Sequence, residues 1–139
     1  MKSSFTLTRT VNAPIGQVFD AFTDHRSYAS MTPMRKSTLD KEGDPPPNGL
    51  GAVRRLTLAG PAIVEEVVGY ERPTYFAYKA VSGLPVKEHL GEVRLSESGN
   101  ATRVSYTVNY TPSIPGPAVG LVLKQAISAL LRGISKSVE

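Results

Sequence analysis

Few side chains in this sequence are reactive, and their types narrow the reactions open to them. His89, one of two histidines, has an ordinary pKa near neutrality and could give or take a proton in a reaction. Tyr78 and Tyr110 could each hydrogen-bond an oxygen on which enolate charge develops. Arg54 and Glu65 add one charge of each sign. There is no cysteine, which excludes disulfides, thiolate catalysis and any Cys-ligated zinc or iron–sulfur centre. With histidine only at His25 and His89, a multi-histidine metal site is excluded, and no clustered Asp or Glu offers a carboxylate-only alternative. There is no Ser/His/Asp arrangement, Walker loop or GxGxxG stretch. Gly49-Leu50-Gly51 precedes a strand pattern rather than a helix, which is wrong for a phosphate cradle. The expectation is a site without metal or cofactor.

The framework that holds these residues can be drawn from periodicity. A chain of 139 residues, 40% hydrophobic and 20% charged, is expected to fold as one domain over 1–139 with a sizeable core. Phe5, Leu7, Arg9 and Val11 alternate with Ser4, Thr6, Thr8 and Thr10, which predicts a strand with one apolar face. In APIGQVFDAFTD, Ile15, Val18, Phe19 and Phe22 recur at helical spacing, and Pro14 suits a first helical turn. A second short helix is predicted through Ser27–Met31. From Lys36 to Thr111 strands alternate with turn signals at Pro45–Gly51, Ala59–Pro61, Arg72-Pro73, Gly83-Leu84 and Gly99-Asn100. Pro117–Val138 predicts a long amphipathic helix with Val119, Val122, Leu123, Ala126, Ile127, Leu130, Ile134 and Val138 on its apolar face. Such a helix can lie on a membrane surface or pack across the sheet, and the sheet needs a cover for its apolar face.

Two-residue hairpin loops at Gly60-Pro61, Arg72-Pro73, Gly83-Leu84 and Gly99-Asn100 would fix the register. One face then carries the row Arg55, Glu66, Lys79 and Glu88, opposite charges that suit a solvated surface. The other carries Arg54, Val67, Tyr78, His89 and Tyr110, surrounded by Leu56, Leu58, Ile63, Phe76, Val93, Leu95, Val104, Tyr106 and Val108. Val64, Val68 and Tyr70 would face outward, and a one-residue slip in that strand would exchange Glu65 for Glu66.

Polar groups on an inward face leave two readings open. They satisfy one another, with Arg54 reaching diagonally to Glu65 and His89 between two tyrosine hydroxyls. Alternatively, sheet and C-terminal helix enclose a cavity whose few polar groups orient a flat or lipid-like molecule bearing a carbonyl or hydroxyl. Gly69, Ala80 and Gly91 on that face would leave it room. The formal charge of +4 is scattered, without the basic–aromatic interleaving of a nucleic-acid groove, so no nucleic acid is expected as partner. The apolar run around Ala118–Leu123 is short for a membrane span, and no signal peptide is evident, so a soluble, cytoplasmic protein is expected.

Four segments together resemble the START and pollen-allergen (SRPBCC) superfamily, in its polyketide cyclase/dehydrase-like branch. They are APIGQVFDAFTD, NGLGAVRRLTL, GYERPTYFAYKAVSGLPVKEHLGEVRL and NATRVSYTVNY with the amphipathic helix after it. The resemblance spans nearly the whole chain and rests on the order of loose motifs. It implies an α+β helix-grip fold: a curved seven-stranded antiparallel sheet wrapped around the C-terminal helix, with two short helices after the first strand. It also implies a hydrophobic cavity, with Tyr28, Met31 and Met34 at its entrance. No catalytic residue is common to the family, so none is carried over. The expected ligand contacts are Tyr28, Met31, Arg54, Glu65, Phe76, Tyr78, His89, Tyr106, Tyr110, Leu123 and Ile127. The leading functional expectation is binding of a small hydrophobic or aromatic molecule by a monomer or homodimer. One alternative is a cofactor-free cyclase or dehydratase using His89 with a tyrosine such as Tyr78. The other is a protein-interaction module of the Hsp90-activator type, meeting its partner through the scattered basic surface or the exposed Val64/Val68/Tyr70 patch.

Overall fold

In a computed structural model, alternating strand sequences and two helical periodicities assemble into a seven-stranded antiparallel sheet with helices on one side. The structure describes residues 2–24, 28–31, 34–57 and 60–139, without the side chains of Ser30 and Met31. Strand β1 is Ser3–Val11, followed by helices α1 (Ile15–Thr23) and α2 (Tyr28–Met31). Strands β2 (Lys36–Lys41), β3 (Val53–Thr57), β4 (Ile63–Glu71), β5 (Tyr75–Ser82), β6 (Val86–Ser98) and β7 (Ala101–Pro112) then form a meander, and α3 (Ala118–Val138) closes the chain. The sheet order is β1-β7-β6-β5-β4-β3-β2, so α1 and α2 carry the chain from one edge of the sheet to the other. The helix-grip fold read from the sequence is the fold observed. Ser27 and Leu58 lie outside the described residues.

Pro14 is the N-cap of α1 rather than part of its first turn; its extended backbone leaves its carbonyl to accept the Val18 N–H at 3.1 Å. α1 buries Val18, Phe19 and Phe22 completely or nearly so. Phe19 meets Tyr70 edge-on at 5.2 Å and Phe76 at 6.5 Å, which anchors α1 to β4 and β5. α3 buries Val119, Leu123, Leu130, Leu131 and Ile134 in the same core. At its end the Asn12 N–H donates to Glu139 Oε2 at 3.0 Å, tying the helix to the exit of β1. By length and composition alone α3 is long and apolar enough to cross a membrane, which corrects the reading from the short Ala118–Leu123 run. Val122, expected on the covered face, is 63% exposed, although Val119 and Leu123 beside it are buried.

The register departs from uniform two-residue hairpins. Arg54 lies directly opposite Glu65 and Arg55 opposite Val64, a shift of two residues from the expected β3–β4 pairing. Arg55 accordingly finds Asp40 on β2 instead of Glu66, at 3.0 Å. The β4–β5 turn has three residues, Arg72, Pro73 and Thr74, and the extra one is absorbed by an irregularity between Val67 and Gly69. Glu66 opposite Lys79 and Val67 opposite Tyr78 therefore stand as expected. Beyond that bulge the faces exchange. Tyr70 turns inward onto Phe19, and Gly69 lies on the outer face where a side chain would meet the Tyr75 ring. Tyr70 thereby leaves the expected outward surface, while Val64 stays opposite the outward Arg55 and Val68 remains 39% exposed.

Tyr78 pairs with Gly91, not with His89, again a two-residue shift. Gly91 leaves no room: the Tyr78 ring fills the space where its side chain would be. The β6–β7 register is as expected from Leu90 to Ser98, but an irregularity between Lys87 and Leu90 removes Glu88 from the charged row and His89 from direct pairing with Tyr110. Glu88 has φ 50°, the left-handed conformation a non-glycine residue seldom takes. Period two thus survives wherever the ladder is regular, and each bulge re-aims the side chains beyond it.

Candidate functional site

Arg54 sits on β3 where alternation turns it inward, and it is 1% exposed. An arginine cannot shed its charge, so a buried one needs a partner in place. Glu65, directly across on β4, supplies it: Nε and Nη2 donate to Oε1 at 2.9 and 2.6 Å. The guanidinium carbon also stands 4.6 Å from the Tyr78 ring centre and 5.2 Å from that of Phe76. Ion pair and ring faces together hold the charge at the cavity wall in a site 1% exposed.

The buried tyrosines satisfy one another rather than flanking His89. The Tyr78 and Tyr106 hydroxyls hydrogen-bond directly, and the Tyr28 hydroxyl donates to the Phe22 carbonyl. Burial pushes all three phenols well above their ordinary pKa, with the Glu65 charge adding to the rise, so they stay protonated. His89 is held differently: the Ala80 N–H donates to its Nδ1 at 3.0 Å, and its ring stands 5.5 Å from that of Tyr78. Burial, reinforced by Arg54 and opposed by Glu65, keeps the His89 pKa below its ordinary value.

Between these residues and α3 lies a partly enclosed cavity of about 100 Å³. Of the residues named from sequence, the structure brings Tyr28, Arg54, Glu65, Tyr78, His89, Tyr106, Leu123 and Ile127 to its wall, with Met34 beside them. Phe76 and Tyr110 do not reach it. Phe76 lies behind Arg54, and the Tyr110 hydroxyl packs over Gly120 of α3 while its ring meets Phe5 edge-on at 6.4 Å. The Met31 side chain lies outside the described residues. Leu84 is the lining residue that sequence reasoning missed; the Gly83-Leu84 pair reads as a hairpin tip, and an apolar side chain at a turn was the available signal. Leu56, Ile63, Val108, Val122, Ala126 and Leu130 complete the wall, all from faces already read as inward or apolar.

The lining is mostly apolar, and the cavity is below the roughly 300 Å³ of ordinary ligand pockets. It is of the order of an engineered apolar cavity of about 150 Å³ that admits benzene. A single small ring fits its scale, and a larger ligand would have to displace Met34 or the N-terminal half of α3. Among the described residues no three His, Asp or Glu side chains come together as metal ligands.

A seven-stranded antiparallel sheet gripping a long C-terminal helix, with a cavity between them, defines the helix-grip class of the START/SRPBCC superfamily. The family model "Polyketide cyclase / dehydrase and lipid transport" matches residues 2–139, and the chain belongs to that family. No curated protein matches it. Among solved structures it is similar to Ara h 8.0201, with 15% identity over 99% of this chain and 98% of that one, at a TM-score of 0.81. It is similar to the ZhuI aromatase/cyclase of Streptomyces sp. R1128, with 20% identity over 99% and 94% and a TM-score of 0.81. XoxI of Bacillus cereus is a third, with 18% identity over 98% and 95% and a TM-score of 0.80. At these identities the likeness is one of fold.

Proposed function

We propose that this protein binds one small, largely apolar molecule, of about the size of a single ring, in the cavity between the sheet and α3. The observation that carries the reading is the pairing of the buried polar groups: Arg54 with Glu65 and Tyr78 with Tyr106, around an apolar space left unfilled. A polar patch serving only stability would close upon itself, whereas here matched polar groups border a void that membership of a polyketide cyclase and lipid transport family makes a natural ligand site. The protein is taken as soluble, with α3 serving as a core helix. An enzymatic role with His89 as general base finds less support, because the Nδ1 lone pair is already engaged by Ala80. An interaction surface at Val64, Val68 and Tyr70 finds less support, because Tyr70 is packed on Phe19 while Val68 remains 39% exposed.

The direct test is a native mass spectrum of the purified protein against its denatured mass, together with thermal melts in the presence of single-ring aromatic compounds. An adduct lost on denaturation, or a rise in melting temperature with such compounds, supports the reading. An apo mass together with melts unmoved by any of them overturns it.

A further inference from the structure

The backbone decides where the His89 proton sits. The β5–β6 ladder runs from Tyr75 opposite Arg94 to Tyr78 opposite Gly91, and beyond it the Ala80 N–H turns to His89 Nδ1 at 3.0 Å. A backbone amide can only donate, so Nδ1 must present its lone pair, and a neutral ring then carries hydrogen on Nε2. The ring borders the cavity, and Nε2 has no hydrogen-bond partner among the described residues. The imidazolium is disfavoured as well, since burial and the nearby Arg54 outweigh the attraction of Glu65 and a hydrogen bond to the residue's own backbone. Of the polar groups on this wall, Tyr78 and Tyr106 bond each other and Arg54 bonds Glu65.

We propose that His89 is a specificity residue whose fixed Nε2–H selects ligands presenting a hydrogen-bond acceptor, such as a carbonyl or ether oxygen, on a ring-sized apolar body. This rests on the cavity reading above and sharpens it. A ligand with an acceptor gives the Nε2–H a partner, while a purely hydrocarbon ligand displaces water from it and returns nothing. His89 thereby acts as a donor, and Nε2 has no lone pair with which to take a proton from a ligand.

The test uses two probes of one shape, acetophenone and α-methylstyrene, which differ as C=O against C=CH2. Binding is measured by calorimetry to the wild type and to His89→Leu. In parallel, ¹⁵N-histidine spectra of the wild type at pH 7 report the tautomer, with His25→Asn assigning the two rings. The expected result is an Nε2–H tautomer and acetophenone binding about three- to tenfold tighter, a ratio that falls to about one in His89→Leu. An Nδ1–H or doubly protonated His89 overturns the proposal, whether or not the variant folds. So does equal binding of both probes to the wild type, or a preference that survives in His89→Leu. Binding of neither probe overturns this inference, and where it accompanies an apo native mass and melts unmoved by other single-ring compounds the cavity reading falls as well.

Discussion

Replacing Glu65 by leucine removes the carboxylate and leaves the Arg54 guanidinium in a site 1% exposed. Arginine remains charged at any pH a protein survives, so the cation that has lost its carboxylate cannot adjust by losing a proton. Breaking a buried pair by removing one partner costs about 3–5 kcal/mol. The Tyr78 and Phe76 ring faces, 4.6 and 5.2 Å from the guanidinium carbon, offset part of that, which places the expected loss toward 3 kcal/mol. For a chain of this length that corresponds to a melting temperature lower by roughly 10–15 °C. The complementary Arg54→Met variant strands a carboxylate instead, and a lone buried carboxylate can neutralise by taking up a proton. Its loss should therefore be smaller and should shrink further as pH falls from 7 to 5, while that of Glu65→Leu should not. The double variant Arg54→Met/Glu65→Leu removes both charges and should lose less than the two single losses added, by about 1–3 kcal/mol. Urea unfolding of all four proteins at pH 7 and pH 5 reads these differences directly. A Glu65→Leu loss under about 1 kcal/mol, or additive single losses, would show that water reaches the pair and that its burial carries no such cost.

The remaining expectations concern the same wall. Because the folded His89 pKa lies below its ordinary value, the unfolded chain binds the proton more readily, so His89 makes stability fall as pH drops below about 6.5. Urea midpoints at pH 7.5 and 5.5 should accordingly drop more for the wild type than for His89→Leu; equal drops would contradict the assignment. Tyr78→Phe or Tyr106→Phe each leaves the other hydroxyl buried without its partner and should lose about 1–3 kcal/mol, whereas the double variant should lose less than the sum; a double-mutant cycle checks this. Gly91→Ala drives a methyl group into the Tyr78 ring and should lose about 1–3 kcal/mol by thermal melt, and an unchanged melt would show that the ring is free to move.

How much of this was legible beforehand depends on whether a feature is local. Arg54, Glu65, Tyr78 and His89 could be assigned to one inward face because side chains alternate along any strand, whatever lies beside it. α1 and α3 could be drawn because Ile15, Val18, Phe19 and Phe22, and Leu123, Leu130 and Ile134, repeat at the helical period. The order of these elements, through the family resemblance, carried the fold. The partners across strands were another matter. A turn one residue longer at Arg72–Thr74, and irregularities at Val67–Gly69 and Lys87–Leu90, each move the register without leaving a mark in hydrophobic alternation. The β4–β5 irregularity brought Tyr70 inward and the β6–β7 one took His89 away from Tyr110, while separate two-residue offsets in β3–β4 and β5–β6 set Arg54 directly against Glu65 and Tyr78 against Gly91. Cavity volume is less local still, since it is the small difference between the space that sheet and α3 enclose and the side chains that fill it. Which residues point inward, and in what order the elements succeed one another, is written in the chain. Which of them meet is a property of the assembled sheet, because turn length, bulges and helix placement are settled jointly by all of its strands.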